Sequence, residues 1–127
     1  WGDLHSGQFR WHRRNGRSTY LMGAFKSDDL AGCWVCGTPN STTIIASFNI
    51  TSLGDTGTGV QTVTIATDFA SAAYCVQVTI GDTSTTSAQS ATVHTKAAGS
   101  FVMNSVIEAG SGDDPSTDWN AVAFGTQ

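Results

Sequence analysis

The chain has little charge, no long apolar run and no helical pattern, and each absence narrows what it can be. Only 13% of its 127 residues are charged, which is unlike the composition of a helical enzyme. No apolar run approaches the length of a membrane span and no segment resembles a signal peptide, so we expect no membrane insertion. Val, Ile and aromatic residues are too frequent for a disordered tail. The length suits one domain with its own core.

Apolar residues recur at every second position, which is the period of a β-strand. The clearest case is residues 44–80, where we place Phe48 and Ile50 on one face of a single strand. A glycine-rich turn over residues 54–59 follows, and then two further alternating sets: Val63, Ile65 and Phe69, and Tyr74, Val76, Val78 and Ile80. Because no helix-length amphipathic segment occurs, the sequence predicts an all-β fold, an antiparallel β-sandwich of roughly seven to eight strands.

Two later strands have faces that bear on assembly. Over residues 90–96 the alternation places Val93 inward and Thr92, His94 and Lys96 on the opposite face. Over residues 101–108 apolar residues occupy both faces, which indicates burial on both sides, within one chain or between copies. Val102 and Val106 lie on the face that one sandwich would leave in water, and they are predicted assembly contacts.

The first 30 residues are predicted to form a basic and aromatic arm, and residues 31–127 the sandwich. Five basic residues against Asp3 give residues 1–26 a charge of about +4, whereas nine acids against Lys96 give the remainder about −8. Asn15-Gly16 predicts a hairpin turn, and a lone hairpin needs a neighbour because it is marginal in water. The predicted assembly contacts in the arm are Arg10, Trp11, Arg13 and Arg14.

Such an arm docks on its own body, on another copy or on an acidic neighbour. Four arginines interleaved with one tryptophan are too sparse to predict a nucleic-acid partner. The chain begins at Trp1 without a methionine, from which we expect a processed product or the end of a longer polypeptide.

The sequence contains no recognisable pattern of active-site residues. The nucleophile-elbow pattern GxSxG is absent, and the acids sit in turns, where Asp makes local hydrogen bonds. Cys33 and Cys36 are spaced like half a zinc site, but no second pair follows, so three small buried thiols, Cys75 included, are the simpler reading. The cluster at residues 113–118 offers oxygen ligands for calcium without the EF-hand spacing. We predict a non-enzymatic protein with no cofactor and no metal.

Recognition is expected on two long polar loops, residues 81–89 and 110–118, which lack apolar anchors. Their hydroxyls and carboxylates suit hydrogen bonds to sugars, and a nearby tryptophan offers a stacking surface. The predicted receptor or partner contacts are Asp82, Thr85, Asp113, Asp114 and Trp119.

Residues 31–80, and 119–125 more briefly, resemble a domain found at the C-terminal ends of tailed-bacteriophage tail-fibre and related virion proteins. The resemblance lies in a Trp-Val pair, a Phe-Asn strand, a Gly-Thr-Gly turn and the strand that follows: Trp34-Val35, Phe48 to Leu53, Asp55 with Gly57-Thr58-Gly59, Thr62 to Ile65, Asp68-Phe69, Ala73-Tyr74 and Val122 to Gly125. The shared phrase contains no catalytic residue.

The resemblance implies a virion protein in a tail or capsid appendage, a homotrimer that contacts other virion proteins and, as a candidate receptor, a bacterial surface glycan. The function expected is host-surface attachment by a tail-fibre or spike-like domain. Two alternatives stay open: a capsid fibre or decoration protein docked by its basic arm, and a fragment of a polysaccharide-degrading tailspike.

Overall fold

The computed structural model describes residues 9–14, 17–22, 30–39, 42–83 and 88–127, the first two ranges by their backbone only. Ten β-strands and no helix occur in these ranges. No helix in the described ranges is therefore long and apolar enough to span a bilayer. The prediction of an all-β fold is confirmed.

Eight strands form two four-stranded antiparallel sheets. Their bounds are β3 Ala31–Gly37, β4 Ile44–Phe48, β5 Ile50–Gly57, β6 Val60–Ile65, β7 Cys75–Ile80, β8 Gln89–Ala97, β9 Ser100–Ile107 and β10 Trp119–Phe124. The strand order is β4-β3-β10-β7 in one sheet, here called sheet I, and β5-β6-β9-β8 in the other, sheet II. The predicted antiparallel β-sandwich is confirmed at the upper end of its strand count.

Every second residue of the inner strands fills the space between the sheets, as the pleat requires. The buried core side chains are Cys33, Val35, Trp119, Ala121 and Ala123 from sheet I, and Leu53, Val63, Ile65, Phe101 and Met103 from sheet II. Phe69 and Tyr74, from the connection between β6 and β7, stack with ring centroids 4.1 Å apart and complete this core. Each of the two sets predicted to share a face after the glycine-rich turn thus lies in the core or packs against it.

Asn49 divides what we predicted as one strand into two strands of different sheets. Its φ of 58° lies in the left-handed region, which asparagine tolerates better than most residues, and the chain passes there from β4 of sheet I to β5 of sheet II. Phe48 is consequently 53% exposed, whereas Ile50 packs against the core. Placing Phe48 and Ile50 on one face of a single strand was wrong, because alternation alone does not register a reversal.

A β-bulge at His94 corrects the predicted position of Lys96. Val93 pairs with Met103 and Thr95 with Val102, so one extra residue lies on β8. Past the bulge the alternation inverts, and Lys96 pairs with Phe101, whose side chain faces the core. The Lys96 ammonium accordingly donates to the Tyr74 carbonyl and lies 5.2 Å from the centre of that ring.

The arm contains the predicted hairpin. β1 (Phe9–Arg14) and β2 (Arg17–Met22) pair antiparallel with Arg14 opposite Arg17. Among the described residues they form a two-stranded sheet of their own. The first sandwich strand begins at Ala31.

Candidate functional site

The two loops predicted to carry recognition are hydrogen bonded to each other at one end of the sandwich, and Gln89 joins them. The Gln89 amide nitrogen donates to Asp113 Oδ2 at 2.7 Å and to the Asp114 carbonyl at 2.9 Å, and its oxygen accepts from the Ser116 backbone at 3.0 Å. The Gln89 backbone N–H donates to Asp82 Oδ2 at 3.0 Å. Sequence reasoning did not identify Gln89 as a functional residue, because its side-chain partners lie in the other loop, far along the chain.

The same loop is tied to the turn between β5 and β6. Gly59 N–H donates to Asp114 Oδ1 at 2.7 Å, and the Ser105 hydroxyl donates to the Asp113 carbonyl at 2.5 Å. Gly59 has φ 73°, and a side chain there would lie 2.3 Å from the Ser105 carbonyl oxygen, so this position requires glycine. The loop is therefore held by three separate segments of the chain.

Pro115 corrects the expectation that residues 110–118 lack an apolar anchor. It is one of the most deeply buried side chains, less than 2% exposed. The two preceding aspartates are consequently half-buried, while Asp82 is exposed. The loop is a built part of the sandwich end rather than a free tip.

The carboxylates predicted to contact a receptor thus have internal partners as well. Asp82, Asp113 and Asp114 each accept a hydrogen bond from a backbone or amide N–H, which fixes the direction of the oxygens that remain for a ligand. Their role as receptor contacts stays a prediction, and Thr85 lies outside the described residues. Replacing these aspartates would loosen the loops as well as remove carboxylates, so unchanged stability is not expected of such variants.

Trp119 was wrongly predicted as a stacking surface. Its side chain is 0% exposed, at the start of β10 and opposite Gly37 of β3. A methyl group at Gly37 would lie 2.6 Å from the indole, so the glycine makes room for it. Trp119 and Ala121 alternate with the exposed Asn120 along β10, which explains the inward position of the indole.

Acidic residues collect at this loop end, which we call the acidic end. Six of the seven acids in residues 30–39, 42–83 and 88–127 lie there: Asp55, Asp82, Glu108, Asp113, Asp114 and Asp118. Lys96, the single basic residue of these ranges, lies at the opposite end beside Tyr74. The sandwich therefore has a negative end that attracts cationic groups.

The three cysteines differ in environment, and the prediction of three buried thiols holds only for Cys33. Burial raises the pKa of the Cys33 thiol to about 11, so it stays protonated and inert at neutral pH. Cys36 lies on the other face of β3, as predicted for residues three apart, and Cys75 is exposed on β7. No three His, Cys, Asp or Glu residues of the described part of the chain are grouped as a metal site.

Large apolar side chains are exposed on the outer face of sheet I, which the sequence analysis missed. Trp34 is 40% exposed and pairs with Phe48, which is 53% exposed, and Phe124 is 36% exposed on β10. Val122 pairs with Trp34 and continues this row. No charged residue interrupts the row, which we call the aromatic face.

Val102 and Val106 lie, as predicted, on the outer face of sheet II. Both are half-buried, while the alternate residues of β9, Phe101, Met103 and Ser105, point into the core. Val102 has Thr62 and Thr95 as its neighbours across the strands, and Val106 has Ser90. This face is therefore rich in hydroxyl groups around the valines, and their role in assembly stays a prediction.

The arm residues predicted as assembly contacts, Arg10, Trp11, Arg13 and Arg14, lie in β1, and their side chains are outside the described part of the structure. Comparison of the chain with models of protein families, with curated proteins and with solved structures found no match.

Proposed function

We propose that this chain is a non-enzymatic structural domain of a bacteriophage virion appendage, a tail fibre or spike, that contributes to attachment to the host surface. The observation that carries the proposal is the resemblance of residues 31–80 to the fibre-end domain. In this chain the residues of that phrase determine shape: Asn49 turns the chain between sheets, Gly57 to Gly59 form the turn before β6, and Phe69 stacks on Tyr74. A shared sequence pattern made of such shape-determining residues supports a structural role.

The acidic end is the surface we propose for recognition. Its loops are anchored by Pro115 and by the bonds of Gln89, so little conformational entropy is lost when they meet a ligand. Carboxylates fixed in direction suit the hydroxyl groups of a bacterial glycan. Replacing the exposed Thr83 or Ser111 with lysine changes this surface without removing an internal carboxylate bond, and we expect weaker adsorption to host cells with an unchanged melting temperature.

The proposed assembly is a homotrimer, and mass measured by light scattering at micromolar concentration tests it. Val106→Asp places a charge on the outer face of sheet II, and we expect it to split the trimer before it unfolds the domain. Thr58→Asp, in an exposed turn, is the matched control and should keep the trimer mass. A parent protein that elutes with the mass of one chain refutes the trimer.

Location on the particle tests the function. Immunogold labelling of phage particles with an antibody raised against this chain should place gold at the tail end. Labelling on the head would instead favour a capsid fibre or decoration protein, and release of reducing sugar from host polysaccharide would favour a tailspike fragment. Virions without label would refute all three.

A further inference from the structure

The four edge strands of the sandwich are not equally protected against pairing with another strand. Bulges interrupt β4 at Ile45, β5 at Thr51 and Thr56, and β8 at His94. Bulges at an edge twist the strand and prevent a further strand from adding. β7 has none: it pairs with β10 without a break from Cys75 to Ile80.

The composition of β7 also favours strand addition. Its six residues, CVQVTI, include no charge, no proline and no glycine, so it lacks the usual devices that block an edge. Its inward residues Val76, Val78 and Ile80 remain only half-buried against the core, as does Val93 of β8 across from them. The sandwich is therefore incompletely covered along this edge.

The arm supplies a strand pair that needs a neighbour. β1 and β2 form a two-stranded sheet that joins no sandwich strand among the described residues, and such a hairpin alone is marginal in water. The two strands contain four arginines and no acid, whereas the described sandwich residues contain seven acids and one lysine. The hairpin and the sandwich thus have complementary charge.

We propose that the β1–β2 hairpin of one copy adds to the free edge of β7 in a second copy and extends sheet I from four strands to six. Main-chain hydrogen bonds supply the contact, as in β-strand addition generally. Among the described residues the hairpin joins no sandwich strand of its own chain, and we take the hairpin of a second copy as the occupant.

Charge fixes the orientation of the added hairpin. β7 runs from the Lys96 end towards the acidic end. There Asp82 follows the last residue of β7 along the chain, and Asp118 lies beside that residue just before β10. The hairpin tip, with Arg14 and Arg17, is attracted to that acidic end. β2 then runs antiparallel to β7 and β1 parallel to it, and the antiparallel pairing is the more stable of the two. We align the two six-residue strands end to end, which places Arg17 opposite Ile80 and Met22 opposite Cys75.

The contact joins two different surfaces, so each copy both gives a hairpin and receives one. Such a contact closes into a ring or continues as a filament. The proposed homotrimer sets the number of copies in the ring to three, and only that number rests on the proposed function.

Disulfide cross-linking tests the register in the full chain. The background variant is Cys36→Ser, and Cys33 does not compete because it is buried and protonated. Adding Met22→Cys places a thiol opposite the native Cys75, and paired positions on adjacent strands are close enough for a disulfide. With the oxidant diamide we expect chains covalently linked to each other, up to a closed trimer, on non-reducing gels.

Two controls share the chemistry but not the geometry. Leu21→Cys moves the thiol one residue along β2 and onto the other face, and we expect at least tenfold less cross-linking at equal time. Cys75→Ser in the Met22→Cys variant should abolish the product. Cross-links within one chain would show that the hairpin folds back on its own body and would overturn the proposal. A trimer by mass without the Met22 to Cys75 product would overturn it too, while leaving the proposed trimer intact.

A charge exchange tests the orientation. Asp118→Lys in an exposed side chain and Arg17→Glu should each weaken association about fivefold, as expected for one exposed ion pair. The double variant should recover most of the parent affinity. Independent losses that add in the double variant would refute the proposed orientation.

Discussion

Replacing Asn49 with alanine tests how the two sheets are joined. Its backbone is left-handed, which costs alanine roughly 1–2 kcal/mol. Its side-chain nitrogen donates to the carbonyls of Gly32 at 2.9 Å and Thr67 at 3.0 Å, and its oxygen accepts from Thr67 N–H at 2.7 Å. Alanine removes all three hydrogen bonds at once.

The three bonds do not contribute their full value, because Gln127 serves as a second donor. Its amide nitrogen donates to the same carbonyls of Gly32 and Thr67, at 3.2 and 2.9 Å. After the loss of Asn49 both carbonyls keep a partner, and only Thr67 N–H loses one. With about 1 kcal/mol for that bond and the backbone cost above, we expect Asn49→Ala to lower the free energy of unfolding by about 2–3 kcal/mol.

Urea unfolding followed by tryptophan fluorescence measures this change. Asn49→Gly lacks the side chain but adopts the left-handed backbone freely, so it should be about 1 kcal/mol more stable than Asn49→Ala. The variant that also carries Gln127→Ala should lose more than the two single losses combined, because the shared carbonyls then lack both donors. Equal stability of the glycine and alanine variants, or simple additivity in the double variant, would refute the reasoning.

The remaining predictions concern packing, the loop and alkaline pH. Gly37→Ala should lower the free energy of unfolding by about 1–3 kcal/mol, because its methyl group would lie 2.6 Å from the buried indole. Gly54→Ala is the control: the nearest atom to its methyl group is 3.8 Å away, so its stability in the same urea titration should stay within about 0.5 kcal/mol of the parent. Asp114→Ala loses the bond to the turn before β6, so a melting curve should shift by the equivalent of about 1 kcal/mol. Desolvation raises the pKa of Cys33 from 9.0 to about 11 and that of Tyr74 from 10.0 to about 12. The stability that these two groups contribute is therefore complete below pH 9 and is lost as pH rises towards 12. A free energy of unfolding that stays constant over this pH window would contradict the raised pKa values.

Alternation of apolar residues predicted most of the sandwich because burial on one face needs little else. In β6 and β9 the predicted apolar residues, Val63 and Ile65, then Phe101 and Met103, all face the core, and the polar Gln61 and Ser105 share that buried face. Each such strand has one neighbouring sheet to face, so local spacing is sufficient information.

The alternation led to wrong predictions where a single residue changes the face on which the following side chains lie. Asn49 and His94 each stand between residues that continue an alternating pattern, yet one reverses the chain and the other forms a bulge. Only partner strands decide such points, and those lie far along the chain. Gln89 shows the same limit for the loops, since its bonds reach residues 24 and 25 positions away.

The residues that carry the resemblance fall into two kinds, and the difference bears on function. Asn49, Gly59 and Phe69 have evident reasons within the single chain: a reversal, a close approach of backbones and a core stack. Trp34 and Phe48 have none, since they pair across the outer face of sheet I, 40% and 53% exposed. Exposed aromatic pairs are uncommon on a monomer without a use. The residues with a role inside the chain explain why the resemblance accompanies a fold. The exposed aromatic pair agrees with the proposed assembly, in which this domain is only one component.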